Sequence, residues 1–226
     1  MIIYNELSKH KKHFDIITNN IHYPIAIFLC SLIVNTKITP NILTLGSVFI
    51  EFFAIVLIFF NLEYYNITIV LLLQFGWILD LMDGTLARYK KIGFYDELNP
   101  SLKGYYFDAF SDHALKFLIL GSLIYQYSLE NENGWLIGLI VIIIHGITQT
   151  EHSIRQMILK SKTNNYVASK PNSKFVNQIV LLMNNIYIYY FIFILLNRVD
   201  LLLISFASCE LILLLKRFIN FSFSKF

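Results

Sequence analysis

Charge and cysteine are both scarce in this chain. Only 15% of its 226 residues are charged, against 56% hydrophobic, and the mean hydropathy is +0.59. A soluble domain of this size would carry more charge. There are two cysteines, Cys30 and Cys209, both inside apolar runs; they read as small packing residues and suggest neither a disulfide nor a Cys-ligated metal site. A net charge of +3 gives no support for a nucleic-acid partner. Internal repeats, low-complexity tracts and an appended soluble domain are missing. No cleavable signal peptide is expected, since the first 20 or so residues are polar and basic and the apolar stretch after them lacks a small-residue cleavage site.

What is present is a series of apolar runs. Their periodicity is helical or continuous, not the alternation of a membrane barrel strand. A run of roughly 20 residues spans a bilayer, and six spans are expected: 41–61, 67–88, 104–127, 134–154, 175–196 and 199–216. Asn197 and Arg198 must then form a tight turn. The run 23–36 is too short to span, is bracketed by Pro24 and Pro40, and reads as interfacial or re-entrant. This layout puts every lysine and arginine except Arg198 and Lys116 on one side. By the positive-inside rule, that side, with both termini, is cytoplasmic. The expected fold is therefore an all-α polytopic membrane protein in one domain, 1–226. Residues 1–37 form an interfacial segment, with 1–20 as an amphipathic surface helix, and 38–226 form the six-span core.

Four aspartates stand out against this background. Asp80 and Asp83 close one apolar run; Asp108 and Asp112 open the next. An ionised carboxylate inside hydrocarbon costs about 2.5–3.5 kcal/mol on insertion scales, so four together demand a counter-charge. A divalent cation supplies it, and hard oxygen ligands favour Mg²⁺ or Mn²⁺. Asp80, Asp83 and Ala87 are spaced i, i+3, i+7 and share a helix face; Gly104, Asp108 and Asp112 are spaced i, i+4, i+8 and share another. Gly84 and Ala87 let a bulky ligand approach the backbone. Arg88 offers a forked donor to phosphate. Such a set suits metal-bound pyrophosphate.

The run Asp80-Leu81-Met82-Asp83-Gly84-Thr85-Leu86-Ala87-Arg88, followed by Gly104, Asp108 and Asp112, resembles the motif of the CDP-alcohol phosphotransferase family. Thr39-Pro40-Asn41-Ile42-Leu43-Thr44 resembles the start of that family's first span. One departure is the spacing: 15 residues separate Arg88 from Gly104, where about eight are usual. The extra segment holds Gly93, Asp96, Glu97 and Pro100.

The resemblance implies transfer of a substituted phosphate from a CDP-alcohol to an acceptor hydroxyl, with release of CMP. Asp80, Asp83, Asp108 and in part Asp112 would hold one or two divalent ions. Asp112 would be the general base, Gly84, Ala87 and Arg88 would bind the CDP moiety, and Gly104 would permit close helix approach. The expected donor is CDP-diacylglycerol, in phospholipid biosynthesis; CDP-choline, CDP-ethanolamine or another CDP-linked head group is the alternative. The resemblance also implies a homodimer. A transporter using the aspartates is the reading from another class, and a prenyltransferase of the aspartate-rich membrane type leaves Gly104 and Asp108 unexplained. His145, Glu151, His152 and Arg155 form either an acceptor pocket or a polar helix end. Lys160, Lys162 and Lys170 either bind an acceptor phosphate or are ordinary cytoplasmic charge. Lys116 either pairs with a carboxylate or phosphate or is structural, and the same question attaches to His113. Glu51 and Glu210, mid-span, are expected against a polar partner or at a subunit interface.

Overall fold

A computed structural model describes residues 2–12, 14–96, 98, 101–162 and 175–223, with backbone only at 105, 152, 155–162, 175–177 and 219–223. The described residues are helical and contain no strand. Helix α1 covers Ile2–Ser8 and α2 Tyr23–Ile33. Helix α3 covers Pro40–Lys90, α4 Lys103–Glu130 and α5 Gly134–Lys162. The short helices α6 (Phe175–Met183) and α7 (Ile186–Tyr189) lead into α8, Val199–Phe223.

Pro40 starts α3, where its missing N–H costs nothing. The helix folds back on itself at Asn61, which is extended (φ −169°, ψ 103°). The Asn61 side-chain oxygen Oδ1 accepts from the Tyr64 N–H at 3.0 Å and so caps the second arm. The two arms are antiparallel. Thr44 meets Asp83, and the Ser47 hydroxyl donates to the Gly76 carbonyl at 2.9 Å. Their close approach depends on Gly76, where a Cβ would lie 2.5 Å from Cγ of Glu51. Gly76→Ala should therefore overpack the arms and destabilise the protein by about 1–3 kcal/mol, measurable as a lowered thermal midpoint in detergent.

Two stretches, Pro40–Tyr95 and Gly134–Glu151, are long and apolar enough to cross a membrane. The first contains both arms of α3. Helix α4 packs on α3 and α5, and α8 packs on α5, around a core that includes Ile58, Leu86, Leu120, Leu123, Leu203 and Phe206. Phenylalanines such as Phe49, Phe52 and Phe60 face outward. The expected tight turn at Asn197 and Arg198 is present, with Asn197 in the left-handed region at φ 51°.

Two elements depart from expectation. The stretch 175–196 is not one helix, because Asn185 is extended and caps α7 by accepting from the Tyr187 N–H at 3.1 Å. Asparagine competes for backbone donors in this way, and so breaks helices. Residues 1–20 are likewise not one helix. Asp15 accepts from the N–H groups of Ile17 and Thr18, both at 2.9 Å, and restarts the helix there. The chain then runs beside the second arm of α3 in the same direction. His22 meets Gln74 at 2.8 Å, Cys30 Sγ lies 3.8 Å from the Met82 carbonyl, and Lys90 reaches the Thr36 carbonyl. Burial pushes the Cys30 thiol up to about 11, consistent with an inert packing residue.

Candidate active site

The antiparallel arms bring the start of α3 against its end, and α4 begins alongside both. This folding gathers the aspartates. One oxygen from each of Asp80, Asp83 and Asp108 lies within 4.8 Å of the others. Asp83 is buried and its Oδ2 accepts from the Thr44 hydroxyl at 2.6 Å. Asp108 Oδ1 is buried with no hydrogen-bond partner among the described residues. A buried, unpartnered carboxylate oxygen among three acids fits a divalent cation, which would offset the negative charge gathered there. Asp80, Asp83 and Asp108 can therefore hold an ion.

Asp112 stands outside this group. Its Oδ2 accepts from Lys116 Nζ at 2.7 Å, one helical turn on. It nonetheless faces the same space. A void of about 10 Å³ is lined by Asp80, Asp108 and Asp112 together with Glu51 and Tyr187. The Asp112 side chain is 30% exposed, so a ligand can still reach it.

Above the aspartates opens a cleft of about 450 Å³. Asp83, Gly84, Ala87, Arg88, Gly104 and Asp108 all line it, joining the two halves of the sequence motif in one wall. Gly84 and Gly104 keep this wall open, since a Cβ at either would press on the end of a neighbouring side chain. A Cβ on Gly84 would lie 3.0 Å from an Arg88 guanidinium nitrogen, and one on Gly104 would lie 3.1 Å from Asn41 Oδ1. Arg88 is held in place over this wall. It donates from Nε to the His10 carbonyl and from a terminal nitrogen to Thr85 Oγ1 at 3.3 Å, and it sits 6.0 Å from the Tyr95 ring centre.

The longer connection after Arg88 belongs to the cleft too. Lys91 ends α3 in the left-handed region, and the Ile92 N–H donates back to the Ala87 carbonyl at 3.1 Å. Gly93, at φ +66°, makes the turn, and its carbonyl accepts from the Ser101 N–H at 2.9 Å. That bond ties the two ends of the loop together and lays Phe94 and Tyr95 along the cleft wall. Glu97 and Pro100 lie outside the described residues.

A sequence model of CDP-alcohol phosphatidyltransferase matches residues 37–208. The chain belongs to the CDP-alcohol phosphatidyltransferase family. It is thus a transferase of substituted phosphate groups, from a membrane-associated and generally divalent-metal-dependent family. Comparison with curated proteins gives no match.

The other polar residues sort themselves by partner. His145 Nδ1 and Glu210 Oε1 are 2.8 Å apart, and both residues are buried, tying α5 to α8 rather than lining the cleft. Glu51, also buried, accepts from the Tyr187 hydroxyl at 3.0 Å. Glu151 accepts from Arg217 at 3.3 Å. The side chains of His152, Arg155, Lys160 and Lys162, and all of Lys170, lie outside the described residues.

The geometry adds Thr44 to the site as a positioning residue. Its threonine-after-proline spacing was visible in the sequence, but its aim at Asp83 depends on the fold-back at Asn61. A group that orients a metal-holding carboxylate typically contributes 10–100-fold in metal affinity or activity. Thr44→Ala should therefore raise the metal concentration needed for half-maximal activity by about 10–100-fold, while Thr44→Ser keeps it. Titrating activity with Mg²⁺ in the two variants checks this.

Proposed function

We propose that this chain transfers a substituted phosphate group from CDP-diacylglycerol to an acceptor hydroxyl, releasing CMP, as a step of phospholipid biosynthesis. The observation that carries the reading is the cluster of Asp80, Asp83 and Asp108, two of which, Asp83 and Asp108, line a cleft together with Gly84, Ala87, Arg88 and Gly104.

Asp80, Asp83 and Asp108 would hold one or two Mg²⁺ or Mn²⁺ ions, with Asp112 adjacent. When bound, the metal supplies Lewis-acid neutralisation of the donor pyrophosphate. The protein's own residues do the rest. Arg88 offers a forked donor to the phosphates. Gly84, Ala87 and Gly104 leave room for the CDP moiety against the helix backbones. Asp112 takes the proton from the acceptor hydroxyl as that oxygen attacks phosphorus in line, and CMP leaves. Cleavage of this kind depends on placement and charge neutralisation more than on covalent catalysis by the protein.

The setting of the reaction is read as a six-span core, 38–226, preceded by an interfacial segment, 1–37. The helices covering all six expected spans support it, with the fifth interrupted at Asn185. The distribution of lysine and arginine supports termini and cleft on the cytoplasmic side of the cytoplasmic membrane. A homodimer remains part of the proposal on family grounds.

Product analysis tests the donor. Purified protein is given CDP-diacylglycerol with a panel of hydroxyl acceptors, and in parallel CDP-choline or CDP-ethanolamine with diacylglycerol. A new phospholipid formed only from CDP-diacylglycerol is the expected result. Product from the second pairing would replace the donor and keep the reaction class. Ion flux in vesicles without CMP would favour a transporter instead.

A further inference from the structure

Lys12 lines the same cleft as Asp83, Gly84, Arg88 and Asp108, yet it lies well before residue 37, where the family match begins. Its position is fixed from both sides. Two residues earlier, the His10 carbonyl accepts from Arg88; at Lys12 itself, the backbone N–H donates to the Tyr23 hydroxyl at 2.9 Å. Tyr23 is fully packed, at 1% exposure. Leu7 behind and Asp15 ahead are buried as well, and Asp15 accepts from the Asn185 side chain at 2.9 Å. The segment is therefore anchored before, at and after Lys12.

The Lys12 side chain itself is exposed and has no hydrogen-bond or ion-pair partner among the described residues. It is one of three cations around the cleft, with Arg88 and Lys103, above the acidic floor of Asp83 and Asp108. Cations at the rim and carboxylates at the base suit a ligand that is anionic toward the rim and bound through a cation at the base. A diphosphate bridged to a divalent metal has that charge pattern.

We propose that Lys12, contributed by the N-terminal segment, binds the diphosphate of the CDP-linked donor, so that this segment completes the donor site from outside the family-matched region. The proposal rests on the reading of the cleft as the CDP site. A flexible ammonium with three donors can reach either phosphate as a point charge.

The test is CDP and CMP binding to the full-length protein in detergent, with Mg²⁺, by calorimetry. Wild type is compared with Lys12→Ala and Lys12→Arg. Loss of a charge-assisted contact to phosphate should weaken CDP binding by about tenfold or more in Lys12→Ala. CMP should be affected less, and Lys12→Arg should stay close to wild type. Unchanged CDP binding in Lys12→Ala, beside normal wild-type binding, would overturn this inference alone. Equal losses for CDP and CMP would also overturn it, as would equal losses in the two variants. Failure of the wild type to bind CDP would overturn both this inference and the reading it rests on.

Discussion

Asp83→Ala should lose metal-dependent turnover and, with it, tight binding of the metal–CDP complex. The expectation follows from position. Asp83 shares the 4.8 Å cluster with Asp80 and Asp108, lines the cleft, and is aimed by Thr44. Changing an outer partner of a metal ligand costs about 10–100-fold, so removing the ligand itself should exceed about 100-fold in apparent metal affinity. The measurement is CDP binding as a function of Mg²⁺. A variant that stays active and indifferent to metal would remove the cluster from the mechanism. Stability should fall little, because the substitution also relieves crowding among three carboxylates.

The second large effect is expected at Asp112. Asp112→Asn keeps the shape, and amide for carboxylate removes the proton acceptor. General-base catalysis contributes typically about 10²–10⁴-fold, and kcat should fall by that order. CDP binding should be largely spared, since Asp112 lies outside the three-aspartate group and is paired with Lys116. This split between turnover and donor binding separates it from Asp83→Ala. Near-normal turnover would take the role of base away from Asp112. A large loss of CDP binding would instead make it a metal ligand of equal rank.

The aspartate faces were legible because they are local. Spacings of i, i+3 and i+4 place side chains on one face of any helix, so the contributions of Asp80, Asp83, Asp108 and Asp112 to two facing surfaces needed no tertiary knowledge. The all-helical character and the two long apolar stretches, Pro40–Tyr95 and Gly134–Glu151, were legible for the same reason, from run length and hydropathy. The interruption at Asn184 and Asn185 was a missed local signal: two adjacent asparagines in an apolar run favour a cap over a helix interior. Thr44 and Lys12 could not be read in this way. Their roles arise where distant segments meet, 39 residues apart for Thr44 and Asp83. The placement of Lys12 and of residues 14–23 depends on Asp15 starting a new turn and on Tyr23 and Asn185 receiving it. The loop after Arg88 was legible as longer than usual, but its place in the cleft wall depends on one backbone bond between Ser101 and Gly93.

CMP release by purified protein in detergent or liposomes is the most direct measurement. It would be made with Mg²⁺ or Mn²⁺, CDP-diacylglycerol and a panel of acceptors, with and without EDTA. The account predicts acceptor-dependent CMP release that disappears with EDTA and returns when metal is restored. CMP release unaffected by EDTA would contradict the aspartate cluster as a metal-dependent transfer site.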